Sequence, residues 1–187
     1  MTDYEKARAI ARDLAQSLHA HEGIPSNAMD RLRPLKQLAR AEAGADQVWC
    51  ANYAEIFSAA CNALDIKVRK INMQYVWSSA GNTNFEIGEG HQTTEVFDRG
   101  TNHWIWMDVT LGIWGAHVDN QDPVNLADLV RILNDEGRRN RLSILEYDVV
   151  SGTERSVPVL ASRRWRDLQT FFRRDQHYQY LRRAPGG

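Results

Sequence analysis

The chain has 187 residues, of which 43% are hydrophobic and 25% charged, and its net charge is −1. That length buries the core of one domain, expected to span 1–187, and the apolar content excludes a disordered chain. Residues 1–30 hold no signal-peptide core and no stretch reaches the roughly 20 apolar residues of a membrane span, so a cytoplasmic protein with no membrane partner is expected.

In chain order, Thr2 or Asp3 caps a helix whose apolar stripe is Ala7, Ile10, Ala11, Leu14 and Leu18, ending near Gly23. Pro25 opens a second helical stretch through Met29 and Leu32, which Pro34 interrupts and which runs on to about Ala43, with Gly44 closing it. From Cys50 to Leu64 the residues Cys50, Ala54, Phe57, Cys61 and Leu64 recur at helical spacing, predicting a buried helix with a cysteine at its start. The periodicity then changes to that of strands over 68–76, 91–97 and 103–109, separated by Gly81-Asn82, Gly88, Gly90 and Asp98-Arg99-Gly100. Asn125 caps a helix over 126–136 with Gly137 as its stop, and strands over 142–150 and 157–160 flank Ser151-Gly152. Trp165, Leu168 and Phe172 mark one more helix face. From Arg163 onward seven arginines stand against two aspartates, giving this end +5 and the remainder −6. Such a tail is read as a solvated face packed on an acidic body in preference to a nucleic-acid surface. Helices followed by antiparallel strands, without βαβ alternation, predict the α+β class. Oligomeric state is not legible in the sequence.

The chemistry centres on Cys50. The chain has two cysteines, Cys50 and Cys61. On one helix they would stand about 16 Å apart, too far for a disulfide. A thiol at a helix N-terminus meets unsatisfied N–H groups and the positive end of the dipole, which favour the thiolate, whereas Cys61 in mid-helix reads as core. A thiol nucleophile needs a base and a group that orients the base. His91 opens one strand and Asp108 closes the next; in a hairpin where opposite residues sum to 199 they stand side by side, provided the connection has an even number of residues. The cysteine helix is then expected to cover that same face, while Trp104 and Trp106, which share it with Asp108, either shield the pair from water or simply pack in the core. For the oxyanion hole the Cys50 N–H is the first donor; Gln47 is the preferred second, with the Trp49 or Trp77 indole as alternatives. The Cys50, His91 and Asp108 spacings fit no usual zinc site, so neither metal nor cofactor is expected.

Trp49-Cys50-Ala51-Asn52-Tyr53-Ala54 through Leu64-Asp65-Ile66-Lys67-Val68-Arg69 resembles the cysteine segment of transglutaminase-like domains. Gly90-His91 with Glu95-Val96 is similar to that family's histidine strand, and Trp104 to Asp108-x-Thr110 to its aspartate strand. The three phrases come in the family's order, 41 and then 17 residues apart, within 45–112. Asp65 stands where the family commonly has Gly, and Gln92-Thr93-Thr94 replaces its Ala-Trp. The resemblance implies a papain-like core with the cysteine helix on an antiparallel sheet. It also implies a Cys50-His91-Asp108 triad working through an acyl-enzyme on a protein or peptide substrate. Hydrolysis, transfer to an amine, and a non-catalytic binding or scaffold domain keeping the fold all stay open.

Overall fold

The computed structural model describes residues 1–78, 85–119, 121–172 and 177–181. Gly81-Asn82 and the C-terminal Gly186-Gly187 lie outside the described residues.

Helix α1 (Asp3–Leu18) starts at a reciprocal cap in which Glu5 N–H donates to Thr2 Oγ1 at 3.1 Å and Thr2 N–H to the Glu5 carboxylate at 2.7 Å. The stretch expected to be helical from Pro25 forms only a short 3₁₀ turn, Met29–Arg31. Helix α2 (Pro34–Glu42) begins at Pro34 itself, whose fixed φ and missing N–H suit a first helical position. Helix α3 (Cys50–Ala63) starts at Cys50. Just past its end Asp65 takes φ 57°, the left-handed position that glycine adopts most readily.

Strands β1 (Val68–Ser78), β2 (Phe85–Asp98) and β3 (His103–Met107) form an antiparallel sheet in the order β3-β2-β1-β7. The fourth strand, β7 (His177–Leu181), comes from the arginine-rich end and was not expected. A second antiparallel sheet joins β4 (Ile113–Val118), β5 (Leu142–Asp148) and β6 (Thr153–Pro158). Strand β4 was missed because Gly115 interrupts its pattern; a Cβ there would meet Tyr4 Oη at 2.8 Å and push that hydroxyl off the Trp114 carbonyl. Helix α4 (Leu126–Leu133) stops short, and Gly137 lies inside the separate turn α5 (Glu136–Arg139) and does not end a longer helix. Helix α6 (Arg163–Leu168) continues as a 3₁₀ turn, Gln169–Phe172. The architecture is therefore α+β.

Around the described side chains of β1, β2 and β3 both faces of the sheet are buried. On one face Val96, Ile105 and Met107 pack with Leu14, Tyr53, Ile56, Phe57 and Cys61 of α1 and α3. On the other, Ile71, Met73 and Trp106 pack with Leu129, Ile144, Trp165, Leu168 and Phe172. Among the described residues no helix is long and apolar enough to cross a membrane.

Candidate active site

Cys50 is the first residue of α3, and a buried side-chain network fixes the helix there. Asn52 Oδ1 accepts from the Trp49 N–H at 3.0 Å, and Asn52 Nδ2 donates to Gln37 Oε1 at 3.1 Å and to Asp30 Oδ1 at 3.3 Å. Tyr53 N–H to Trp49 O is the first intrahelical bond, at 3.0 Å, so the Cys50 N–H belongs to the first-turn amides without an intrahelical acceptor. Cys50 is 6% exposed.

His91 and Asp108 meet on the far side of the sheet's ladder end. The β2–β3 register pairs Asp98 with His103 and Thr94 with Met107, so opposite residues sum to 201 and not 199. The connection is residues 99–102, four in number; the parity is even, as expected, while the register is displaced by two residues. Asn102, at φ 57°, absorbs the difference. Asp108 thus lies just past β3, where it closes a turn to Ile113 through reciprocal backbone bonds of 2.8 and 2.9 Å. The hydroxyls of Thr93 and Thr94 both donate to the Met107 carbonyl, at 2.8 and 3.0 Å, and pin the ladder end beside it. Within the Gln92-Thr93-Thr94 phrase, the two threonines have this structural use.

The Asp108 carboxylate is fully buried and its oxygens are divided between two partners. Oδ1 accepts the Leu111 N–H at 3.0 Å, and Oδ2 lies 2.5 Å from His91 Nε2. A carboxylate oxygen cannot donate, so Nε2 carries the proton and Nδ1 is the nitrogen left for Cys50. Burial pushes the imidazole down, but the Asp108 charge and hydrogen bond, followed by the hydrogen bond and charge of Cys50, outweigh it and raise His91 to about 10. The three side chains are brought together, with His91 itself 8% exposed.

The expectation about faces is corrected. His91 stands opposite Met73 and shares its face with Ile71 and Trp106, whereas α3 packs on the reverse face with Val96, Ile105 and Met107. Lys70 pairing with Glu55 marks that same reverse face. The imidazole lies beyond the last β2–β3 pair, where β3 no longer borders β2, and Cys50 meets it from the helix terminus. Of the two readings of Trp104, shielding fails: its ring lies under the Arg69 guanidinium at 4.2 Å and meets the Phe97 ring at a tilt, 5.4 Å between centroids, at the other end of the ladder. Trp106 is buried beside Phe172. Phe171, not anticipated from sequence, sets its ring 5.6 Å from the His91 ring.

Of the oxyanion donors, Gln47 lies across Gly23, where a Cβ would meet its amide at 2.5 Å, and Trp49 is 50% exposed. Among the described residues neither is hydrogen-bonded to Cys50 or His91. The Trp77 side chain lies outside the described residues. No group of three His, Cys, Asp or Glu side chains among the described residues is placed to hold a metal ion. Sequence reasoning also missed Asn52, whose signal was its place three residues after the helix cap.

Compared with family models, curated proteins and solved structures, the chain matches none.

Proposed function

We propose that this chain is a transglutaminase-like domain with a papain-like core. Its chemistry is thiol-dependent acyl transfer or amide hydrolysis on a protein or peptide substrate. The observation that carries this reading is a buried imidazole bonded through Nε2 to Asp108 and facing the Cys50 thiol at a helix N-terminus. In the first step His91 Nδ1 takes the Cys50 thiol proton, the sulfur adds to the amide carbonyl carbon, and the Cys50 N–H meets the developing oxyanion. The tetrahedral species collapses with cleavage of the C–N bond, and His91 gives its Nδ1 proton to the departing amine. Water or an amine acceptor then loses a proton to His91 as it attacks the thioester, and the thiolate leaves. Asp108 holds the ring and its charge throughout.

One observation favours a second reading, a binding or scaffold domain that keeps the fold: Cys50 is 6% exposed, less than reactive thiols usually are. Labelling the intact protein with iodoacetamide across pH, with Cys50→Ala and Cys61→Ala as controls, decides between them. Rapid labelling confined to Cys50 supports the thiol enzyme; protection of Cys50 until the protein unfolds supports the scaffold. Adding a primary amine to a turnover assay then separates transfer from hydrolysis.

A further inference from the structure

The turn that carries Asp108 is held from outside by the C-terminal segment. Residues 109–112 form its loop, and Gly112 sits at φ 60° with its N–H donating to the Val109 carbonyl at 3.3 Å. Leu111 points its N–H into the turn, onto Asp108 Oδ1. Its carbonyl points outward and accepts a hydrogen bond from Arg164 Nη1. A Cβ on Gly112 would stand 2.4 Å from that same Arg164 nitrogen and 3.0 Å from the Tyr147 carbonyl. The guanidinium is thus seated against the one residue of the turn without a side chain. Which way the Leu111 peptides point decides whether Oδ1 is occupied, and hence how Oδ2 is aimed at His91.

Arg164 is delivered from a fixed frame. Ser162 caps α6, accepting the Trp165 N–H at 2.9 Å, and its hydroxyl donates to the buried Glu146 carboxylate. Trp165, Leu168 and Phe172 anchor the segment in the core. The same segment lays Phe171 against His91. The turn behind Asp108 and the His91 ring therefore meet residues 164 and 171 from one short stretch.

We propose that Arg164 is a positioning residue for the His91–Asp108 pair, acting through the Leu111–Gly112 turn, which makes residues 163–172 a working part of the thiol site. The inference rests on the proposed thiol chemistry. The titratable groups facing His91 among the described residues are Asp108 and Cys50. Arg164 faces the turn and also lies toward Asp148.

The test uses the full chain and iodoacetamide, with alkylation of Cys50 followed by peptide mass spectrometry as a function of pH. A loosened Asp108 holds the imidazolium less firmly, so Arg164→Met should slow Cys50 alkylation at about pH 6 by ~10-fold relative to about pH 10. Arg164→Lys keeps a charged donor and should restore most of the ratio. An unchanged ratio in Arg164→Met overturns the inference, as does an equal slowing at both pH values, which is what a merely structural loss gives. If Arg164→Met loses its cooperative melt, Arg164→Gln, whose amide ends two bonds short of the Nη1 position and so withdraws the donor from the Leu111 carbonyl, is judged by the same ratio. A wild-type Cys50 that reacts no faster than a cysteine of the unfolded chain sinks the thiol-site reading itself; a fast wild type with an indifferent Arg164→Met sinks only the role of Arg164.

Discussion

His91 and Asp108 share a 2.5 Å hydrogen bond although they do not stand opposite each other in the sheet. The β2–β3 ladder ends at Thr94 and Met107, and its continuation would set Asp108 against Thr93. The bond is diagonal, formed where the strand gives way to a turn. Replacing Asp108 by Asn keeps an acceptor for the Leu111 N–H but presents either no charge or an NH₂ group to Nε2. Thiol-dependent turnover should fall by roughly 10³-fold with the far-UV spectrum unchanged. Unaltered turnover would remove Asp108 from the site.

The same pair makes stability depend on pH. Burial works against the His91 proton, but Asp108 and Cys50 raise the group from 6.5 to about 10. A group raised on folding contributes stability that is complete below its unfolded value and is lost as pH rises through its folded value. The difference in Tm between wild type and Asp108→Asn should therefore be widest below about 6.5 and close as pH approaches about 10. Calorimetry on both proteins measures it, and a gap that widens with alkalinity would contradict the assignment.

The two thiols should separate cleanly. Cys61 is fully buried in the core between α3 and the sheet, and burial pushes its thiol up to about 12. Cys50 faces an imidazole at a helix start. At neutral pH, intact-mass kinetics should show Cys50 reacting at least ~100-fold faster than Cys61. Equal rates would end the catalytic reading.

Asn52 anchors the helix start that presents Cys50. Its side chain is buried and satisfies the Trp49 N–H, Gln37 and Asp30 together. Asn52→Ala leaves those groups unpaired and should cost about 2 kcal/mol, lowering Tm by ~4–8 °C. Denaturant unfolding checks it; a loss below about 0.5 kcal/mol would mean that the network is not holding the helix.

Asp65 occupies a left-handed position, φ 57°, and its contact with Arg99 is made with the Asp65 side chain 89% exposed. An exposed ion pair adds little, while glycine relieves the backbone. Asp65→Gly should therefore stabilise the chain by ~0.5 kcal/mol. A destabilised variant would show that the Arg99 contact outweighs the strain.

Local information was enough for what local physics controls. The spacing of Ala7, Leu14 and Leu18, the helix from Cys50, the strand alternation after Val68 and the caps at Thr2 and Asn125 are read within a few residues, because each element's hydrogen bonds and apolar face are set there. The even parity of the β2–β3 connection was legible too, since side chains alternate whatever the loop. The register was not: whether opposite residues sum to 199 or 201 depended on Asn102 adopting the left-handed region and on Thr93 and Thr94 fixing the Met107 carbonyl. Nor could the sequence say which face α3 covers. Both faces of β2 are buried, so its hydrophobic pattern carries no preference between them. Strand β7 and the meeting of Arg164 and Phe171 with the turn and the imidazole arise from contacts across 53 and 80 residues of chain, read from the positions of Leu111 and His91. No periodicity encodes such distances; only the packing of α6 against the sheet brings those residues to Asp108 and His91.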